Sequence, residues 1–158
     1  MKKSSLFYAL IGAVMAIQGA VAVHAETLPD IYQSGKSEFG SNNAVGGYDA
    51  VAYQKANAAV PGSKQFSYAW KGATWQFSSA ENLEAFKAAP DTYAPKYGGY
   101  CAYGVSQGYA VHGDPQAWTV VDGKLYLNYD KDVQKTWNND RPGYIKLSEQ
   151  NWPKALTK

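Results

Sequence analysis

Residues 66–86 read FSYAWKGATWQFSSAENLEAF, and this stretch decides the predicted fold. Apolar side chains alternate over residues 66–70 and 73–77, and the Lys71-Gly72 pair between them predicts a β-hairpin. Ser78 and Glu81 have the spacing of a capping box, which predicts that a helix begins there. Leu83 and Phe86 give this helix an apolar face, and Pro90 is expected to end it.

A second copy of the pattern begins 51 residues further along the chain. Residues 118–137 read WTVVDGKLYLNYDKDVQKTW, so the shift places Gly72 on Gly123 and Phe86 on Trp137. The Asp122-Gly123 pair predicts a hairpin with a type I′ turn, and Asp130 is a good cap for a helix that ends near residue 138. We interpret the two stretches as one duplicated strand–strand–helix unit.

The predicted fold class is therefore α+β, a single small domain of two such units with a C-terminal helix over about 142–150. A short strand is expected at residues 47–53, and a glycine-rich segment, 98–113, joins the units. Large aromatic side chains are expected to form most of the core. These are Trp70, Trp75, Phe77, Phe86, Tyr93, Trp118, Tyr126, Trp137 and Trp152.

Composition excludes several classes of protein. Of the 158 residues, 15% are aromatic and only 18% are charged, which is unlike a disordered chain. The net charge of +2 is supplied by Lys2 and Lys3, so the remainder is neutral. A neutral domain lacks the basic surface that binds nucleic acid or an anionic membrane.

The N-terminus has the pattern of an export signal. Lys2 and Lys3 precede an apolar run over 6–17, and Val23-His24-Ala25 matches a signal-peptidase site. We predict a signal peptide over 1–25, a flexible segment over 26–45 and a domain over 46–158. The predicted location is periplasmic or secreted. A retained membrane anchor is the alternative, although the apolar run is shorter than the roughly 20 residues of a full span.

Cleavage after residue 25 would leave one cysteine, Cys101, and one histidine, His112, both in the glycine-rich segment. A thiolate and an imidazole are soft ligands that favour Cu(I), whereas zinc needs about four ligands. The leading hypothesis is a small exported protein that binds copper through Cys101 and His112. Tyr100, Tyr103 and Asp114 are candidate supporting residues.

Two other functions remain open for the same residues. In a metal-free structural or partner-binding module, Cys101 is a small buried hydrophobe that does not react with thiol reagents. In a thiol-dependent enzyme, His112 activates Cys101 and lowers the pKa of its thiol, with Asp114 or an asparagine orienting the ring.

Residues 75–93 resemble the YHS domain family, in which an aromatic strand leads into a capped helix that is followed by Pro-x-x-Tyr. Residues 97–128 and the Asn151-Trp152-Pro153 end further resemble exported bacterial members with a single such domain. The metal-binding branch of the family implies thiolate ligands at the positions of Ala52, Ser78 and Asn82, and all three thiolates are absent. Any metal site in this chain would therefore fall on Cys101 and His112.

Overall fold

The computed structural model describes residues 26–34 and 42–157. Its strands are β1 (Gln33–Ser34), β2 (Asn43–Ala44), β3 (Ser63–Trp70), β4 (Ala73–Phe77), β5 (Asp114–Val121) and β6 (Lys124–Asn128). Its helices are α1 (Ala52–Lys55), α2 (Ala80–Ala88), α3 (Pro90–Tyr93), α4 (Ala102–Ser106), α5 (Lys131–Asn138) and α6 (Arg141–Asn151). Short 3-10 turns span Val45–Gly47, Lys96–Gly99 and Lys154–Leu156. The predicted α+β class is confirmed.

The strands form two sheets, one for each strand–strand–helix unit. The first sheet has the order β1-β2-β4-β3, and the second is the hairpin β5-β6. Ser67 is opposite Gln76 in the first hairpin, and the residues 51 positions later, Trp118 and Leu127, are opposite each other in the second. Both hairpins also have a register irregularity at equivalent places, so the duplication extends to the strand pairing.

Both hairpin turns have the backbone that a type I′ turn requires. The φ angles are 47° at Lys71 and 73° at Gly72, and 50° and 70° at Asp122 and Gly123. These left-handed conformations match the right-handed twist of the flanking strands, and glycine adopts them without steric cost.

The first helix cap differs from the prediction by one residue. Ser79, and not Ser78, accepts the N–H of Asn82 and caps α2. Its equivalent, Asp130, accepts the N–H of Val133 and caps α5 as predicted. The Ser78 hydroxyl points to Asp49 instead, which the capping-box spacing alone did not reveal.

The prediction of a strand at residues 47–53 is wrong. Gly46 and Gly47 have φ angles of 60° and 81°, so the chain makes a left-handed turn here, and does not extend, before α1 begins. Gly98 and Gly99 have φ angles of 62° and 85° in a matching turn before α4. Residues 45–50 read VGGYDA and residues 97–102 read YGGYCA, so the repeat also includes these turns, at a spacing of 52 residues.

Aromatic side chains fill both halves of the core. Within the predicted set, the fully buried members are Trp75, Phe77, Phe86, Tyr126 and Trp137. The others pack against the core while partly exposed, and they are Trp70, Tyr93, Trp118 and Trp152. Aliphatic residues such as Val51, Val105, Leu125 and Leu127 complete the packing.

The segment before β2 contacts the second unit. Thr27 pairs with Thr157, the N–H of Tyr32 donates to the carbonyl of Gly98 at 2.9 Å, and Ile31 is buried. The predicted signal peptide, residues 1–25, lies outside the described residues, as does part of the segment 26–45 that was predicted to be flexible. Among the helices of the described residues, none is long and apolar enough to cross a membrane.

Candidate functional site

Cys101 lies at the start of α4, with its thiol directed into the core. The residue is 1% exposed. The backbone N–H of Gly104 donates to Sγ at 3.4 Å, and the thiol is 3.8 Å from the side-chain oxygen of Asn128, which is itself buried. Cys101 thus caps the helix that follows it, as a polar N-cap residue does.

Burial raises the pKa of the Cys101 thiol. Hydrogen bonds from the backbone N–H groups of Gly104, Tyr129 and Tyr103 lower the pKa, but their effect is smaller than that of burial. Because the thiolate is both the nucleophile and the metal ligand, a raised pKa disfavours both roles near neutral pH. This result counts against the thiol-dependent enzyme, which requires a lowered pKa.

The backbones of His112 and Cys101 lie side by side, but the two side chains lie in different surroundings. Tyr100 forms a β-bridge with His112, and the N–H of Cys101 donates to the carbonyl of Val111 at 2.9 Å. The imidazole is exposed. Its centroid is 4.4 Å from the ring of Tyr129 and 6.1 Å from the ring of Tyr32.

Two adjoining cavities share Tyr32 and His112 as a common wall, and we call them together the His112 groove. One has a volume of about 250 Å³ and is lined by Leu28, Pro29, Tyr32, Gln33, Tyr100, Ala110, Val111 and His112. The other has about 290 Å³ and is lined by Tyr32, Ser34, Gly46, His112, Gly113, Asp114, Pro115 and Tyr129. Predicted site residues Tyr100, His112 and Asp114 therefore line one groove.

The other two predicted residues lie elsewhere. Cys101 lines neither cavity of the groove. Tyr103 stacks edge-to-face on Tyr144 of α6, with ring centroids 5.2 Å apart. The structure therefore divides the predicted site into an exposed part around His112 and a buried part around Cys101.

Sequence reasoning missed Asp49, the most heavily hydrogen-bonded side chain in the first unit. The carboxylate is fully buried and accepts five hydrogen bonds. Oδ1 accepts the N–H groups of Val51 and Ala52, while Oδ2 accepts the N–H and hydroxyl of Ser78 and the amide of Asn82. The alignment of VGGYDA with YGGYCA was the available signal, because it places Asp49 on Cys101.

The positions that the family resemblance assigns to metal ligands all surround Asp49. The Ala52 N–H is 3.2 Å, the Ser78 hydroxyl 2.6 Å and the Asn82 amide nitrogen 2.7 Å from its carboxylate oxygens. These groups donate hydrogen bonds to an anion, which is opposite to the electron-pair donation that a cation needs. The residues present therefore do not fit a metal at this place.

No group of three or more His, Cys, Asp or Glu side chains is arranged to hold a metal ion in the part of the chain that the structure describes. Comparison with known proteins found no matching family model, no matching curated protein and no matching solved structure.

Proposed function

We propose that this protein is a metal-free binding module and that its ligand, a small planar organic molecule, occupies the His112 groove. The observation that carries this proposal is the exposed imidazole of His112 between two adjoining cavities. Small-molecule sites are concave and largely apolar, with a few polar groups that orient the ligand. The groove has this composition.

Aromatic rings favour a planar ligand in the groove. Tyr32 lies between Tyr100 and His112, with centroid distances of 5.5 and 6.1 Å. Leu28 and Val111 add apolar surface beside these rings. A planar molecule could stack in the apolar cavity while a polar substituent reaches His112, so both dispersion and one directional hydrogen bond contribute to binding.

The burial of Cys101 supports the metal-free function. A metal-free module was expected to keep this thiol buried, and the side chain is 1% exposed with its pKa raised by burial. A metal would have to displace the thiol proton and reach a sulfur that Gly104 and Asn128 already engage.

Binding of phenol and indole to the isotope-labelled full chain, followed by NMR, tests the proposal. We expect the His112 ring signals and the amides of residues 110–113 to shift, and His112→Gln to weaken binding about tenfold by removing a hydrogen bond and a stacking surface. Tyr109→Ala is the control, because Tyr109 is 49% exposed and lies outside the groove lining. Equal affinity in wild type and His112→Gln would contradict the proposal.

Copper binding through Cys101 and His112 is the second candidate. The observation in its favour is the direct backbone pairing of 100–101 with 111–112, which holds the two residues in adjacent backbone segments. Titration of the reduced protein with Cu(I) against a chelator is the test. Affinity that falls in Cys101→Ser with His112→Ala, and that weakens as pH falls, supports it. Equal affinity in wild type and the double variant excludes it.

Membership of the YHS family is also a proposal, and it rests on the resemblance of residues 75–93. Export is a separate proposal. Export is supported by Lys2, Lys3, the apolar run and the small residue at Ala25. N-terminal sequencing of protein from the periplasm or culture medium should begin at Glu26. A chain that starts at Met1 and stays with the membrane fraction supports the retained anchor instead.

A further inference from the structure

A third cavity lies between the two units, apart from the His112 groove. Its volume is about 410 Å³, a size that is common for small-molecule sites. The first unit contributes Trp70, Lys71 and Asp91, the second contributes Lys96 and Trp152, and the N-terminal segment contributes Asp30. We call this cavity the inter-unit cleft.

Two indole rings, each fixed by its neighbours, form the apolar part of the inter-unit cleft. The Trp70 ring contacts Trp75 and Phe86, with centroids 5.5 and 5.6 Å apart. The Trp152 ring contacts Tyr97 and Tyr100, at 5.8 and 6.1 Å. Both indoles are partly exposed. A ligand that stacks on a ring already held by packing costs little additional side-chain entropy.

Lys71 already covers one face of Trp70. Its Nζ lies 4.3 Å from the Trp70 ring centroid and 3.2 Å from Oδ1 of Asp91. This arrangement combines a cation–π contact with an ion pair at the rim of the cleft. Because this lysine competes for the Trp70 ring, Trp152 is the better stacking surface for a ligand.

The charges that line the inter-unit cleft balance each other. Lys71 and Lys96 are cations, whereas Asp30 and Asp91 are anions. This balance gives no net attraction for an ion of either sign, while it supplies strong hydrogen-bond donors beside strong acceptors. The complementary ligand is neutral, carries several groups that both donate and accept, and has one flat apolar face.

We propose that the inter-unit cleft binds a neutral sugar, with one pyranose ring stacked on Trp152. The C–H groups on one face of a pyranose are slightly electropositive, and the electron-rich face of an indole attracts them. Each sugar hydroxyl donates and accepts, so neighbouring hydroxyls bond to the carboxylates of Asp30 and Asp91 and to the ammonium groups of Lys71 and Lys96. This proposal does not depend on the ligand of the His112 groove.

Calorimetric titration of the full chain with maltotriose, cellotriose and tri-N-acetylchitotriose tests the proposal, with tryptophan fluorescence as a second readout. At least one trisaccharide should bind and change the fluorescence. Asp30→Asn and Lys96→Gln should each weaken binding about tenfold, because each replaces a charge-assisted hydrogen bond with a neutral one. These two variants are preferred to Trp152→Ala, which would also remove packing against Tyr97 and Tyr100.

Two controls separate this site from others. Lys124→Gln removes an exposed lysine outside the inter-unit cleft and should bind sugar as wild type does. His112→Gln should also keep sugar binding, so the two proposed sites can fail independently. No binding of any trisaccharide at about 10 mM overturns the proposal, and so does unchanged affinity in both Asp30→Asn and Lys96→Gln.

Discussion

At the scale of single residues, Asp49 and Cys101 occupy equivalent places in the two units. The Asp49 N–H donates to the carbonyl of Val60 at 2.8 Å, and the Cys101 N–H donates to that of Val111 at 2.9 Å. Each side chain then accepts backbone N–H groups from the helical turn that follows. The carboxylate accepts five hydrogen bonds, so the loss of its acceptor atoms should destabilise its unit more than the loss of the thiol.

Asp49→Asn should therefore be strongly destabilising. The substitution replaces one carboxylate oxygen with an NH₂ group. In either orientation of the amide, this group faces the hydrogen-bond donors that Oδ1 or Oδ2 accepts in the wild type, so those buried donors lose their acceptor. We expect a loss of about 3 kcal/mol in the free energy of unfolding, measured in urea. Asp91→Asn, in an exposed ion pair with Lys71, should cost under about 0.5 kcal/mol. Similar losses of stability in both variants would show that the buried Asp49 hydrogen bonds contribute no more than an exposed ion pair.

Native Cys101 should react slowly with a bulky maleimide at pH 8. Burial both blocks access and raises the pKa of the thiol, so the reaction should be at least about tenfold slower than in urea. The matched control is Lys131→Cys in a Cys101→Ala background, which places the single thiol on an exposed residue. Rapid labelling of native Cys101 would falsify the buried-thiol interpretation and favour the Cu(I) candidate.

At the scale of elements, the turn before α4 holds the N-terminal segment in place. Gly98 has a φ angle of 62°, and a Cβ at this position would lie 1.8 Å from the carbonyl oxygen of Asp30. The carbonyl of Gly98 also accepts a hydrogen bond from the N–H of Tyr32. A side chain here cannot be accommodated unless the segment moves away.

Gly98→Ala should therefore cost much more than Gly123→Ala. Gly123 has a similar φ of 70°, but a Cβ there would meet nothing within 4 Å. Gly123→Ala carries only the left-handed backbone penalty of about 1–2 kcal/mol. Gly98→Ala adds the steric conflict, so it should lower stability further and speed proteolysis near residues 28–32. Equal stability and equal cleavage rates in the two variants would contradict this account.

The hairpins and the long helices could be predicted from sequence because their signals are local. Turn glycines, cap residues and apolar spacing act over a few adjacent positions, as at Asp122-Gly123 and Asp130. The strand expected at 47–53 does not form because Gly46 and Gly47 turn the chain, and because Asp49 accepts the N–H groups of Val51 and Ala52 where α1 begins. Ser79 and not Ser78 caps α2, because the Ser78 hydroxyl donates to the carboxylate of Asp49, 29 residues earlier in the chain.

At the scale of the whole molecule, buried hydroxyl and thiol groups make the fold sensitive to alkali. Burial raises the pKa of Tyr53, Tyr97, Tyr126 and the Cys101 thiol, and it raises the pKa of Tyr100 from 10.0 to about 12. The unfolded chain releases these protons at lower pH than the folded chain does. The contribution of the tyrosines to stability is therefore complete below about pH 9 and that of the thiol below about pH 8, and both are lost as pH rises.

Urea unfolding between pH 8 and 12 should show this loss. Tyr100→Phe removes one titrating group, so its stability should fall less steeply than that of wild type between pH 10 and 12. Tyr109→Phe changes an exposed tyrosine and should follow the wild-type profile. If Tyr100→Phe and wild type have the same slope over this interval, the titration of Tyr100 does not contribute.

The sequence by itself determined the α+β class, the duplicated hairpin–helix unit, and Cys101 and His112 as candidate site residues. Only the tertiary structure decided that Cys101 is buried, that His112 is exposed in a groove with Tyr32, and that Ser78 and Asn82 converge on Asp49. The physical reason is the range of the interactions. Turns and caps depend on neighbouring residues, whereas burial and side-chain convergence depend on segments that are distant in the chain and meet only in the packed fold.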